Sequence, residues 1–156
     1  LHKQELEEII SFCKVMHSGI KEKIISEGEI SPYVYAVLKG SVNIMVLTPS
    51  GTEVFLSPTG EGDVFGEAAI FSNRERTASV TSNDATLLQI HQKDLLRYIN
   101  NNPASGIKIL YVIIYSLLDK LREANQEIAF ERKTSFKQEE VDDLIETYFN
   151  NKWNIT

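Results

Sequence analysis

The run Tyr33-Val34-Tyr35-Ala36-Val37-Leu38-Lys39-Gly40-Ser41-Val42-Asn43-Ile44-Met45-Val46-Leu47 decides the fold class. It is dense in β-branched and aromatic residues, which suit a pleated, half-buried surface. Lys39-Gly40 in its middle reads as a tight turn, so the run predicts a hairpin of two strands, Tyr33 to Leu38 and Val42 to Leu47. Downstream, Thr48-Pro49-Ser50-Gly51 is a second turn and Thr52 to Ser57 another strand. Gly60 and Gly62 punctuate the next loop. Ala78 to Thr81 and Ala85 to Ile90 are two further strands around Ser82-Asn83-Asp84. Upstream, strands begin at about Lys21, and Glu27-Gly28-Glu29 breaks the first of them. Short strands this closely spaced predict an antiparallel sandwich, jelly roll or barrel.

Helical periodicity flanks these strands. Leu6, Ile9, Ile10, Cys13 and Met16 recur at three- and four-residue spacing, which predicts a helix over Lys3 to Met16 within an N-terminal segment 1–20. Asp94 to Asn100 reads as a short helix, and Asn101-Asn102-Pro103 as a break with Pro103 at a first-turn position. A long helix then runs to about Arg132. Its apolar positions Ile107, Leu110, Ile114, Leu117, Leu121, Ala124 and Ile128 form a heptad seam, and Ile113 and Leu118 widen it near its start. Ser135 and Gln138 are spaced as a capping box before a last helix, Lys137 to Asn150, in the tail 133–156.

Composition excludes several classes. The chain has 156 residues, enough for one domain with a real core. A net charge of −6 argues against a free-standing nucleic-acid binder, although a small anion needs only a few local donors. The one cysteine, Cys13, cannot form an internal disulfide, which points to a reducing compartment. It sits among Phe12, Val15 and Met16 and reads as a small buried apolar residue rather than a nucleophile. Lys3, Glu5, Glu7 and Glu8 interrupt any signal-peptide pattern, and the apolar stretch Ile107 to Leu118 is too short to cross a membrane. The expectation is a cytoplasmic chain without membrane insertion. His2, His17 and His91 are scattered, so no metal site is expected.

The chemistry concentrates in Gly62-Asp63-Val64-Phe65-Gly66-Glu67-Ala68-Ala69-Ile70-Phe71-Ser72-Asn73-Arg74-Glu75-Arg76-Thr77-Ala78-Ser79-Val80. Gly66 lets the backbone approach a ligand. The amides of Glu67, Ala68 and Ala69 would be unpaired at a helix start, a place suited to phosphate. Arg76 can present a forked, charge-assisted pair to phosphate oxygens. Glu67, an acceptor, suits a sugar hydroxyl. The set describes a nucleotide monophosphate site. Glu67 or Glu75 paired with Arg74 or Arg76 as ordinary surface ions fits the same residues equally well.

Phe65-Gly66-Glu67, followed nine residues later by Arg76-Thr77-Ala78, resembles the phosphate-binding cassette of the cyclic nucleotide-binding domain. Glu27-Gly28-Glu29, Tyr35 and Lys39-Gly40-Ser41-Val42 are similar to that family's leading hairpin. The likeness covers about Ile20 to Ile128. It implies an antiparallel β-roll of about eight strands over 21–91, with the cassette at 62–80 and helices at both ends. It implies that Glu67 accepts from the ribose 2′-hydroxyl and Arg76 neutralises the cyclic phosphate. The backbone around Phe65, Gly66, Ala68 and Ala69, with Thr77 and Ala78, would complete the cradle. Ala68 departs from the family's usual Leu or Ile. Thr77 can reach a guanine amino group or the phosphate, so base choice stays open between cAMP, the expected ligand, and cGMP.

The long helix, within the C-terminal segment 92–132, resembles the dimer helix of the catabolite activator protein group. That likeness implies a homodimer through residues 107–128, with Arg122 and Asn125 near the base. As a solvated helix residue, Asn125 needs no such role. Members of that group continue into a winged helix-turn-helix that binds DNA. Only 24 residues follow Arg132, more acidic than basic, so direct DNA binding by this chain is not expected. The reading is a non-catalytic regulatory sensor, with cyclic nucleotide moving the C-terminal helices. It is a sensor fragment, a stand-alone sensor or the regulatory piece of a larger effector. The alternative is a degenerate roll that only dimerises.

Overall fold

The computed structural model describes residues 2–135. The chain divides into two compact units, Leu1–Ser116 and Leu117–Thr156. The first unit holds a six-stranded antiparallel sheet rolled on itself, with helices before and after it. Helix α1 (Lys3–Ser11) leads into β1 (Lys14–Ser18) and β2 (Lys23–Ile25). Then come β3 (Tyr33–Leu47), β4 (Glu53–Thr59), β5 (Val64–Phe65), the short α2 (Ala68–Phe71) and β6 (Ser79–His91). Helices α3 (Gln92–Asn101) and α4 (Pro103–Ser135) end the described chain.

Two long strands carry the roll. β3 and β6 pair from Tyr33↔His91 to Met45↔Ser79, and each is flanked by two short strands. β1 and β2 lie along successive parts of β6, and β5 and β4 along successive parts of β3. This corrects two expected turns. Lys39-Gly40 and Ser82-Asn83-Asp84 are bends within continuous strands, not loops between separate ones. Gly40 has φ 79° and Asp84 φ 60°, and a Cβ on Gly40 would lie 2.1 Å from the Asp84 carbonyl oxygen. The register slips on either side of Lys39 at this point, so both strands bend together as a bulge does. The eight expected strands are therefore six, because each long strand merges two.

The N-terminal helix is also shorter than its periodicity suggests. It stops at Ser11, where Cys13 Sγ donates to the Ile9 carbonyl at 2.9 Å. Lys14–Ser18 then joins the sheet against Ala85–Gln89. Ladder pairing with β6 outweighs the local helical pattern that runs on to Met16. Glu5 fastens α1 to the first turns of α4. Its carboxylate accepts from the Ser105 hydroxyl, the His2 amide, and Lys108 Nζ at 3.1 and 3.2 Å. Those bonds, Ser105 first, lower its pKa to about 2.

Alternate side chains of β3 face two cores, as the pleat requires. Tyr35, Val37 and Val42 join Ile25, Phe65, Val80, Ala85 and Leu87 inside the roll. Val34 faces Ala69, Ile70, Leu95 and Ile113 beneath the helices. Gly106 permits close crossing of α3 and α4, since a Cβ there would lie 2.9 Å from Ile99 Cγ2. Ile109 and Ile113 turn towards this second core, while Ile107 and Ile114 of the predicted seam remain exposed. Pro103 starts α4 as expected, its missing N–H costing nothing in a first turn. In the second unit, α4 continues from Leu117 to Ser135, with Leu117, Leu118, Leu121 and Ile128 exposed. The predicted helix Lys137 to Asn150 lies outside the described residues.

Candidate binding site

The site is built where β5 leaves the sheet. Val64 and Phe65 pair with Ala36 and Tyr35. The Phe65 ring stacks on Tyr35 with centroids 5.0 Å apart and 8° between planes. Phe65 is 1% exposed, so its side chain belongs to the core, and what it offers a ligand is backbone. The chain then turns through Gly66 at φ 72°. A Cβ here would lie 3.1 Å from Arg76 Nη1 and 3.2 Å from the Tyr33 carbonyl oxygen. Glycine is thus required twice, by conformation and by space.

Glu67 caps α2. Ala69 and Ile70 are buried against α3 and the start of α4, whereas Ala68 is exposed. The Ala69 amide donates to the Gly66 carbonyl at 3.2 Å, and the Ile70 amide to Glu67 at 3.0 Å. The expectation that the Ala69 amide would be left for a phosphate is therefore corrected. The turn at Gly66 aims its carbonyl back along the helix and takes that donor.

Arg76 returns opposite Gly66. Its amide donates to the Glu29 carbonyl and its carbonyl accepts from the Gly28 amide, both at 2.8 Å. The turn Glu27-Gly28-Glu29, read from sequence as a strand break and as part of the family's leading hairpin, clamps the arginine backbone in place. Glu27 anchors that turn: its amide donates to Ser79 Oγ at 3.0 Å and its carboxylate accepts from the Leu47 amide at 2.8 Å. The left-handed Gly28, at φ 83° between two glutamates, was the available signal.

The Arg76 residue is 7% exposed. Nη1 donates to the Gly66 carbonyl at 2.8 Å, and Nη2 to the carbonyls of Ser31, at 3.0 Å, and Tyr33. Nε is buried and has no hydrogen-bond partner among the described residues. Burial pulls the guanidinium pKa below its usual range, against the opposing pull of Tyr35, Glu29 and Glu67. A buried cation with an unused donor attracts an anion, because pairing relieves both costs. Surface ion pairing, the alternative reading of Arg76, does not fit this burial. Thr77 is exposed and Ala78 half-buried beside it.

The remaining predicted contacts lie on α4 in the second unit. Arg122 Nη1 donates to Asp119 Oδ1 at 3.2 Å, one turn earlier, and Asn125 is exposed. Among the described residues no group of three or more His, Cys, Asp or Glu is placed to hold a metal ion. None of their helices is long and apolar enough to cross a membrane. The Cys13 thiol is half-buried, and desolvation pushes it up to about 11, which suits packing rather than attack.

A left-handed turn at Gly66, the neighbouring Glu67 and a buried arginine are thus brought together at one end of the rolled sheet. The chain belongs to the cyclic nucleotide-binding domain family, whose pattern matches residues 20–102. Its rolled sheet followed by a long C-terminal helix has the fold of a catabolite activator protein. It is similar to the cAMP-activated global transcriptional regulator CRP of Salmonella typhimurium, with 32% identity over 100 residues, 63% of this chain and 48% of that protein. The chain spans about half the length of the curated relatives it matches. Its fold is similar to the Thermus thermophilus catabolite activator protein, with TM-score 0.70 and 26% identity, covering 85% of this chain and 61% of that one. It also resembles the c-di-GMP responsive global regulator CLP of Xanthomonas campestris, with TM-score 0.76 and 19% identity over 96% of this chain and 72% of that one.

Proposed function

We propose that the cassette binds cAMP and that this chain is a cytoplasmic, homodimeric sensor whose ligand repositions the C-terminal helices. The observation that carries the reading is Arg76, a buried cation beside Gly66 whose Nε has no partner among the described residues. Nε and the fork meet the cyclic phosphate. Glu67 accepts from the ribose 2′-hydroxyl, and the backbone of Phe65, Gly66 and Ala68 lines the cradle with Thr77 and Ala78. Arg122 and Asn125 serve the base. Relatives named as cAMP-activated favour adenine over guanine, with cGMP as the second candidate. The dimer is favoured by the exposed face Ile107, Ile114, Leu121 and Ile128, since a helix with an open apolar stripe gains by burying it. The ligand acts by population shift, through different affinities for two helix placements.

Calorimetric titration with cAMP, cGMP and c-di-GMP tests this. The expected result is saturable binding, tightest for cAMP. Binding of c-di-GMP alone would replace the ligand. A flat trace for all three would overturn the sensor reading in favour of a dimerising interaction module.

A further inference from the structure

Arg76 does more in this structure than face a ligand. Nη2 binds the carbonyls of Ser31 and Tyr33, the two residues either side of Pro32. The Pro32 carbonyl in turn accepts from the backbone amide of Gln92, the first residue of α3, at 2.8 Å. Gln92 reaches back as well, its Nε2 donating to the Ile70 carbonyl of α2 at 3.2 Å. Beside this bond the Tyr33 ring stands edge-on to His91, with centroids 5.3 Å apart. Arginine, the 31–33 segment, the start of α3 and the cassette helix thus form one closed ring of hydrogen bonds.

We infer that residues 31–33 relay phosphate occupancy at Arg76 to helix α3, with the Gln92 amide as the receiving group. This deepens the proposed function and rests on that reading. A guanidinium has five N–H groups in a fixed plane, and Nη2 contributes two of them. Both now go to the carbonyls of Ser31 and Tyr33. A phosphate that takes the fork competes with these two carbonyls for the same protons. Pro32 has a locked φ, so the short segment answers as a piece rather than by rotating at its middle. Its carbonyl carries the Gln92 amide with it. Leu95, one turn further along α3, packs against Val34, Ala69, Ile70 and Ile113. A shift at Gln92 therefore reaches the packed start of α4 within the same unit.

The amide can be deleted cleanly. Gln92 is the first helical position, where proline is tolerated, and His91 before it is already extended at φ −76°, ψ 133°, as a residue preceding proline must be. Gln92→Pro removes the N–H and the side-chain bond, while Gln92→Leu removes only the latter. Hydrogen exchange of the α3 amides would be followed with and without cAMP, beside calorimetry. In the wild type and in Gln92→Leu, cAMP should change exchange across α3. Gln92→Pro should bind cAMP within about threefold of wild type and lose that change. If Gln92→Pro keeps the change, or Gln92→Leu loses it, the main-chain relay is overturned. If Gln92→Pro fails to fold, protection of the Gln92 amide in the wild type decides, and protection unmoved by bound cAMP overturns the relay. Heat of binding without any α3 response sinks the relay alone. A flat trace for cAMP, cGMP and c-di-GMP sinks the nucleotide reading and the relay with it.

Discussion

Gly66 and Arg76 are packed so closely that a side chain at residue 66 would crowd the guanidinium. Nη1 of Arg76 donates to the Gly66 carbonyl at 2.8 Å, and a Cβ at residue 66 would stand 3.1 Å from that same nitrogen. The glycine is in the left-handed region, so the turn that exposes its carbonyl is also the turn that leaves room for the guanidinium.

Gly66→Ala should therefore harm the site more than the fold. The left-handed conformation costs an alanine about 1–2 kcal/mol. The added methyl also displaces Arg76 and presses on the Tyr33 carbonyl. Thermal unfolding should show a modest fall in Tm, and titration a loss of cAMP binding of about tenfold or more. Unchanged affinity would mean that Arg76 does not act through this position.

Arg76→Ala and Arg76→Lys should separate two roles of one side chain. Alanine strips donors from the carbonyls of Gly66, Ser31 and Tyr33, so stability should fall by about 2 kcal/mol along with binding. Lysine keeps the charge but not the fork, and should weaken cAMP by about a hundredfold with a smaller loss of stability. Denaturant melts and calorimetry on both variants check this. Lysine binding like wild type would remove the fork from the mechanism.

Thr77→Ala tests base choice. Thr77 is exposed, and in the proposed site its hydroxyl would meet a guanine amino group. Losing one such bond is worth about 1 kcal/mol, so the cGMP affinity should fall about fivefold against cAMP. An unchanged ratio of the two affinities would assign Thr77 to the phosphate alone.

The anchorage of α1 should be sensitive to acid. The Glu5 pKa is lowered to about 2 by the Ser105 hydroxyl, the His2 amide and Lys108. A carboxylate whose folded pKa is depressed stabilises the fold above its unfolded value, near 4.5, and loses that contribution as pH falls through about 2. The Tm gap between wild type and Glu5→Gln should be constant at neutral pH and close between about pH 4.5 and 2. A gap that does not vary with pH would mean that the carboxylate charge is irrelevant to docking.

Leu121→Glu should turn a dimer into a folded monomer. Leu121 is 56% exposed, and in sequence it falls at heptad spacing between Ile114 and Ile128, which are exposed too. A buried carboxylate at a two-helix seam is costly, while an exposed one is tolerated. Sedimentation analysis reads the outcome. A monomeric wild type, or a dimeric variant, sinks the dimer.

The site was legible in sequence where side-chain chemistry carried it. Gly66, Glu67 and Arg76 stand out because few residue types suit a left-handed turn, an acceptor beside it and a forked cation. The partners of Arg76 were not legible, because carbonyls of Ser31 and Tyr33 have no signature of their own. The bends failed for a related reason. Lys39-Gly40 has the same local appearance in a hairpin turn as in a bulge, and its true partner, Asp84, is far along the chain. Met16 fits both a helix face and a strand, and only β6 decides between them. On α4 the periodicity identified the helix but not its inner face, which is set by Ile109 and Ile113 meeting the second core.

The long ladder between β3 and β6 sets the order in which this molecule can assemble. Its outermost partners, Tyr33 and His91, are 58 residues apart, and the whole cassette lies within the loop that they close. Loop closure must precede any gain from such contacts, which makes folding dominated by them slow, on the order of milliseconds to seconds. Arg76 is held not only by Gly66 but by Ser31 and Tyr33, 45 and 43 residues back along the chain, so the site is a late-forming property of the chain. A nascent chain still short of β6 has the residues of the cassette and no site.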